Sequence, residues 1–501
     1  MRTVVLLTAG TGSRMGKYAE IINKSLLPIN EQAIISHIIN QFDVSTRFIV
    51  ALGFLGEQVQ QYLSLAHPDR DIQFVTVDVY EGPNSGPARS LKCCRSLLSG
   101  PFTLIACDAM YENLSDFPSE YDCLGVTKIG GSHLPYCSIG INERGVVNQV
   151  VDKQECELEY VANGLFNFYS VDKFFANLDN AELSSGFKFL SLGANEINWV
   201  DLGTFEKYQK YYLENSPYDF SKTDEFFFNI NGRVIKWFKD ADITKNRILR
   251  STLRPGFPHV DKSTGGFYSY ELVEGQTLYQ HCTSDIFQEL LDWMQTTVWP
   301  LDKSNDGRLT ANACKIFYKD KTMKRLDTFK RKYPDFNPVF LNGTKILYSI
   351  DEALSRIDWD SIINANLEQR SAFIHGDFQF DNILHDGKTF TMLDWRQDFA
   401  GDLVVGDLYY DIAKLIGGLI INYDLMKKNL FNYEEQGQHS YYFVPQRSYG
   451  PAFISTLYNH FPAKIIDQIV SLIFLNMAPL HAAPFDKILY CLALERLNAP
   501  N

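Results

Sequence analysis

The chain is 501 residues long, 45% hydrophobic and 21% charged, with a net charge of −13. Such a length predicts roughly two to four domains with ample core. The acidic balance argues against nucleic acid and anionic membrane as partners, leaving small-molecule substrates and room for a homo-oligomer.

In chain order, Thr3 to Leu7 reads as a short buried strand running into Thr8-Ala9-Gly10-Thr11-Gly12-Ser13-Arg14-Met15-Gly16, then Asn23-Lys24-Ser25-Leu26-Leu27-Pro28. A glycine-rich loop after a strand lets backbone N–H groups approach phosphate oxygens, and Arg14 and Lys24 add charge. The dinucleotide fingerprint fails because its third glycine falls one place late and the strand Arg47 to Leu52 ends without an acid. A P-loop fails because no Gly-Lys-Ser/Thr closes the loop. Downstream come Gly82-Pro83-Asn84-Ser85-Gly86-Pro87-Ala88 opening a helix, and the strand Phe102 to Ala106 delivering Cys107-Asp108. Val151-Asp152-Lys153, Ala162-Asn163-Gly164-Leu165-Phe166 and Trp199-Val200-Asp201-Leu202-Gly203-Thr204 follow.

This ordered set resembles the nucleotidyltransferase family that activates sugar phosphates and phosphocholine. The resemblance implies an α/β, Rossmann-like domain over 1–214. Ala9, Gly10, Gly12, Ser13 and Gly86 would contact nucleotide, and Arg14 and Lys24 would stabilise its triphosphate. Asp108 and Asp201 would hold Mg²⁺. Lys153 would meet the substrate phosphate, with Asn163 and Gly164 lining the substrate pocket. Ser13-Arg14-Met15-Gly16 and Asn23-Lys24-Ser25-Leu26 look more like the cytidylyltransferases, which favours CTP as the NTP.

A helix from Phe205 to Leu213 leads to a boundary at Asn215-Ser216-Pro217. Glu225 to Ile230 and Arg233 to Phe238 read as a hairpin around Asn231-Gly232. Gly266 to Leu278 is a strand and hinge, and from about Thr277 the pattern is mostly helical. Phe317 to Thr322 with Arg325 form a basic-aromatic cluster, expected to touch a substrate. The stretch Phe373 to Leu415 then places His375-Gly376-Asp377, Asn382 and Asp394 in order, with Asp394 ending the apolar run Phe390 to Leu393. A short loop with an Asp and an Asn, then a strand ending in Asp, is what ATP-dependent phosphoryl transfer needs.

That stretch resembles the aminoglycoside phosphotransferase and choline kinase family, relatives of the protein kinases. The resemblance implies a two-lobed α+β kinase-like domain over 215–501, with a small lobe at about 215–275 and a large lobe at about 276–501. Asp377 would be the catalytic base, Asn382 and Asp394 the Mg²⁺ ligands, and His375 a loop-shaping residue. Lys236 would meet the ATP phosphates, Glu271 and Val273 the adenine, and Arg396 the acceptor. Asp407 and Asp411 would buttress the catalytic loop. The hairpin lacks the glycine-rich loop of protein kinases, so phosphates must be covered differently.

Together the halves imply a bifunctional enzyme using ATP, an NTP and Mg²⁺. A small hydroxyl compound, with a sugar or polyol leading, is phosphorylated and then coupled to the nucleotide as a precursor for surface polysaccharide. The alternatives are a choline kinase/phosphocholine cytidylyltransferase fusion, and a chain in which one half only binds nucleotide as a regulatory domain. Nine scattered cysteines without a CxxC pair fit reduced thiols. The start, MRTVVLLTAG, reads as a strand rather than a leader. The run Ile469 to Leu480 is too short to span a bilayer. A cytoplasmic location is therefore expected.

Overall fold

The computed structural model describes residues 2–179, 181–187, 190–215, 224–301 and 307–499. They form two compact units: residues up to 215 with 224–239 and 262–269, and residues 240–261 with 270 onwards. Ser216 and Pro217 of the expected boundary lie outside the described residues.

The first unit is built on a nine-stranded sheet. Its strands are β1 (Thr3–Leu7), β2 (Arg47–Leu52), β3 (Asp71–Thr76), β4 (Phe102–Ala106), β5 (Cys123–Lys128), β6 (Cys137–Ile141), β7 (Val147–Asp152), β8 (Tyr160–Phe168) and β9 (Gly193–Glu196). The order is β7-β6-β8-β4-β1-β2-β3, with β5 pairing β8 and β9. β4, β1, β2 and β3 run parallel, and their apolar runs fit a sheet covered on both faces. β8 turns antiparallel on β4 and carries a register shift between Ala162 and Phe166. The helix α1 (Gly56–Ala66) returns β2 to β3, α2 (Pro87–Cys93) returns β3 to β4, and α3 (Phe205–Asn215) closes the domain. The loops at the carboxyl ends of β1 and β4 therefore share one edge, where ligands of open α/β sheets bind.

The hairpin β10 (Glu225–Ile230) and β11 (Arg233–Phe238) forms with the expected bounds and register. Its turn residues Asn231 and Gly232 have φ of 51° and 72°, the left-handed pair that a two-residue hairpin needs. It belongs to the first compact unit, although the sequence assigned it to the second domain. Phe226, Phe228, Ile230, Ile235 and Trp237 join the core that holds Tyr18 and Tyr62. Asn229 N–H also donates to Glu31 O at 2.8 Å.

The second unit is mainly helical around one large core. The stretch Phe373 to Leu415 crosses it as the loop 375–382, then the hairpin β12 (Ile383–His385) and β13 (Phe390–Met392), then α6 (Leu408–Ile420). Upstream lie α4 (Ala241–Ser251) and α5 (Lys321–Lys332). The helical stretch Ala463–Leu480 spans 18 residues, longer than the apolar run expected from sequence, and meets the length and composition of a membrane span. Here Ile466, Ile469, Val470, Leu472 and Phe474 from it are buried in the core.

Candidate active sites

In the first unit the glycine-rich loop is pinned from behind. Thr8 N–H and Oγ1 both reach Ala51 O, and Phe54 N–H donates to Ala9 O at 3.0 Å. Asn23 Nδ2 donates to Thr8 O at 2.9 Å and Phe54 O at 2.8 Å, while its Oδ1 accepts from Ser25 N–H. That cap sets Lys24 over the loop, 3.9 Å from where a Cβ on Gly10 would lie. Lys24 Nζ then meets Asp108 Oδ2 at 2.5 Å. Burial pushes the Asp108 carboxyl up, but Lys24 and Arg14 outweigh it and hold it below the ordinary carboxylate range.

Asp201 arrives through chain pairing. Trp199–Asp201 lies antiparallel to Ala109–Tyr111, and Leu202 N–H donates to Asp108 O at 3.0 Å. Phe205 N–H donates to Arg14 O at 2.9 Å. A Cβ on Gly203 would lie 3.0 Å from Asp201 Oδ1, 3.5 Å from Asp108 Oδ2 and 3.7 Å from Arg14 Nη2. Arg14, Lys24, Asp108 and Asp201 thus converge across nearly 190 residues of chain. Asp201 Oδ2 is held by Tyr136 Oη at 2.7 Å and by Lys207, which also donates to Tyr136 Oη at 2.6 Å. Neither Tyr136 nor Lys207 was singled out from sequence.

Beside this cluster is a cavity of about 200 Å³ lined by Leu7, Pro87, Ala106, Asp152, Gly164 and Glu182, among others. Gly164, at φ 86°, is in its wall, and a Cβ there would sit 2.8 Å from Ala106 Cβ. Gly86, at φ 154°, precedes α2 with the chain at Ala181 pressed against it. Asn163 and Lys153 are placed differently from the expectation. The Asn163 amide donates to Thr127 Oγ1 at 3.1 Å and its oxygen accepts from Leu165 N–H, so it shapes the irregular part of β8. Lys153 pairs with Glu182 next to the cavity wall.

In the second unit the loop 375–382 is fixed from below by α6. Asp411, fully buried, accepts from His375 N–H and Gly376 N–H, both at 2.8 Å, and from Trp299 Nε1 at 3.1 Å. Burial pushes its carboxyl up to about 6. Asp407 caps α6 through Tyr409 N–H and pairs with Arg370 and Tyr318. His375 is neutral, pushed down to about 4 by burial. Asp377 N–H donates to His375 Nδ1 at 3.1 Å, which makes Nε2 the protonated nitrogen, donating to Leu393 O at 2.8 Å. That imidazole ties the loop to the residue before Asp394.

Asn382 Nδ2 donates to Asp377 O at 2.9 Å, leaving Oδ1 as its donor oxygen, and Leu393 N–H donates to Asn382 O at 2.7 Å. The hairpin thereby returns Asp394 to Asn382. Asp394 has φ 56° and lies 3.5 Å from Arg247 Nη1. Asp377 Oδ1 meets Lys414 Nζ of α6 at 2.6 Å. Arg250, buried on α4, donates to Ile374 O and Arg396 O, clamping both sides of the loop. Sequence reasoning missed Arg250 and Lys414; Lys414 carried one signal, its place one turn beyond Asp411 on the buttress helix. Arg396 crosses Gly376, where a Cβ would meet Arg396 Cβ at 2.5 Å. Glu271 is exposed and Val273 half-buried, in the segment leading to Gln276 and Thr277, which pair with β12. Lys236 lies in the first unit, 5% exposed, its ammonium 5.6 Å from the Phe227 ring.

Among the described residues no group of three or more His, Cys, Asp or Glu could hold a metal by itself. Asp108 and Asp201, whose carboxylates both face Gly203, and Asn382 with Asp394 carry hard oxygen donors of the kind that would suit Mg²⁺ when phosphate oxygens complete the shell.

Comparison with known proteins agrees with both halves. Residues 4–114 match the family model described as MobA-like NTP transferase domain, and 329–447 match the phosphotransferase enzyme family. The bifunctional protein GlmU of Methanococcus vannielii is 24% identical over 259 residues, covering 46% of this chain and 60% of that protein. The chain thus spans under two thirds of that relative. The solved CTP:phosphocholine cytidylyltransferase of Streptococcus pneumoniae is 18% identical, with a TM-score of 0.36, covering 42% of this chain and 97% of that one. HddC of Yersinia pseudotuberculosis is also 18% identical, with a TM-score of 0.35, covering 43% and 99%. The two halves thus each carry a region that matches a transferase family, nucleotidyl transfer in the first and phosphotransfer in the second.

Proposed function

We propose that the second unit phosphorylates a small hydroxyl compound with ATP, and that the first couples the product to an NTP, with CTP favoured, releasing pyrophosphate. The observation that carries this reading is that each unit assembles its own carboxylates and cations from distant parts of the chain. In the phosphotransferase half Asp377 orients the acceptor hydroxyl and takes its proton as the oxygen bonds to the γ-phosphorus and ADP leaves. Lys414 holds that carboxylate, and Asp411 and Arg250 hold the loop. Asn382 and Asp394 would hold Mg²⁺, which when bound neutralises phosphate charge.

In the nucleotidyltransferase half a phosphomonoester oxygen bonds to the α-phosphorus of the NTP as the bond to pyrophosphate breaks. Lys24 and Arg14 face the charge that accumulates there. Asp108 and Asp201 would hold the metal, and Tyr136 and Lys207 orient Asp201. The 200 Å³ cavity, with Gly164 in its wall, suits part of a small substrate. The NDP-linked product fits a surface-polysaccharide precursor, and nine free cysteines fit a cytoplasmic setting.

The test is a panel assay of the full chain with ATP, Mg²⁺ and each NTP against sugars, polyols and amino alcohols, with products read by mass spectrometry. Asp377→Asn should abolish ADP formation and spare pyrophosphate release from supplied phosphomonoester; Asp108→Asn should do the reverse. Loss of both activities in either variant would refute the division of labour.

A further inference from the structure

Four basic side chains gather beside the loop that carries Asp377. Lys321 and Arg325 lie four residues apart on α5 and so share a helix face. Arg396 lies across Gly376, and Lys414 sits on Asp377. Lys414 is matched by that carboxylate. Lys321 and Arg396 are not: among the described residues neither has an acidic group within 4 Å. Both instead rest on one aromatic ring, with Lys321 Nζ 4.5 Å and the Arg396 guanidinium 4.9 Å from the centre of Phe317. Phe317 is itself fixed by stacking on Phe399 at 4.1 Å. The nearby carboxylate Asp398 accepts Gly401 N–H at 3.0 Å.

Two half-buried cations crowded together cost free energy unless something anionic meets them. The crowding is felt at Lys321, pushed down to about 6 by burial and then by Arg396, Arg325 and Lys414, so that at neutral pH the free site sheds this charge and an anion beside it would restore it. Arg396 Nε is buried without a hydrogen-bond partner. A cationic acceptor such as choline would add to the repulsion, and a neutral polyol would leave it unrelieved.

Resting on the reading of this unit as the phosphotransferase, we propose that its acceptor is an anionic alcohol. A carboxylate or phosphate group would be held by Arg396 and Lys321 while its hydroxyl lies on Asp377. No electron or group transfer beyond the phosphorylation is required.

The experiment uses the full chain with MgATP and four acceptors of similar size: glycerol, choline, gluconate and glycerol 3-phosphate. Calorimetric binding of the same compounds is measured with a non-hydrolysable ATP analogue bound. Expected is binding and turnover of gluconate or glycerol 3-phosphate, the two arms separating carboxylate from phosphate. Arg396→Gln and Lys321→Met should each raise the acceptor KM at least tenfold, with the ATP KM within twofold. Preference for glycerol or choline, absence of anion binding to the nucleotide complex, or a variant effect on ATP KM alone would each overturn the proposal. Failure of the wild-type chain to bind the ATP analogue would instead refute the underlying phosphotransferase reading.

Discussion

Asp411→Asn separates what the buttress does for the loop from what it does for stability. The carboxylate accepts three N–H donors, from His375, Gly376 and Trp299. Asparagine keeps the shape but has one acceptor oxygen, so at least one donor faces its NH₂ group. The lost charge-assisted bond and the stranded donor cost about 2–5 kcal/mol together. Against that, burial has raised the Asp411 carboxyl to about 6 from its ordinary 3.8. Holding it ionised at pH 7 therefore costs about 3 kcal/mol, which the neutral amide avoids. The two terms nearly offset, so the net change should lie between about 1 kcal/mol of stabilisation and about 2 kcal/mol of destabilisation. The geometry of the His375-Gly376 turn is not compensated, and Asp377 follows it directly. Phosphotransfer should fall at least ~100-fold, because a small displacement of a positioning group is costly in rate. Urea unfolding and an ADP-release assay measure the two quantities, with nucleotidyl transfer by the same protein as internal control. Retention of more than a third of the phosphotransferase rate would refute the buttress argument.

Gly376→Ala places a methyl in the left-handed region at φ 84° and against Arg396. It should cost about 1–3 kcal/mol and most of the phosphotransferase activity, checked by denaturation and ADP release. Tyr136→Phe removes one hydrogen bond from Asp201 and one from Lys207; pyrophosphate release should fall about tenfold with phosphotransfer unchanged. His375 has its pKa lowered from 6.5 to about 4, so between these values the unfolded chain binds a proton that the folded chain refuses. Its contribution is complete above pH 6.5 and is lost as pH falls, by about 3 kcal/mol in all once pH is below 4. His375→Gln should remove that part of the slope of unfolding free energy against pH; superimposable slopes would contradict it.

The strands β1, β2, β4, β10 and β11 were legible to the residue because each is a continuous apolar or alternating run with a Gly, Asp or Asn within three residues of its end. The site motifs were legible because their chemistry depends on short spacing: Asp377 to Asn382 within one loop, Asp201 to Gly203 within one turn. What escaped were partners set by tertiary packing. Lys207 and Tyr136 meet on Asp201 from separate elements, and Arg250 reaches the catalytic loop from 124 residues away. Asn163 misled because an amide in a substrate-lining motif can equally serve a strand irregularity, which only the pairing of β8 reveals. The hairpin misled for another reason. Its strands are local, but the apolar face they present does not specify which core receives it.

The two sites solve one electrostatic problem alike. Asp108, Asp201 and Asp377 each pair with a lysine, Lys24, Lys207 and Lys414 respectively. The lysines orient the carboxylates, at the cost of competing with any cation that seeks the same oxygens. On the proposed reading, a nucleotide's phosphates at Asp108 and Asp201 would remove that competition, because they would offer the lysines new anionic partners while bringing oxygens to complete a metal shell. Metal and nucleotide binding should therefore be strongly coupled there. Asp377 differs because its lysine lies on the buried buttress helix, where no phosphate need draw it away. That arrangement suits the proposed base, which must stay in place until the hydroxyl arrives.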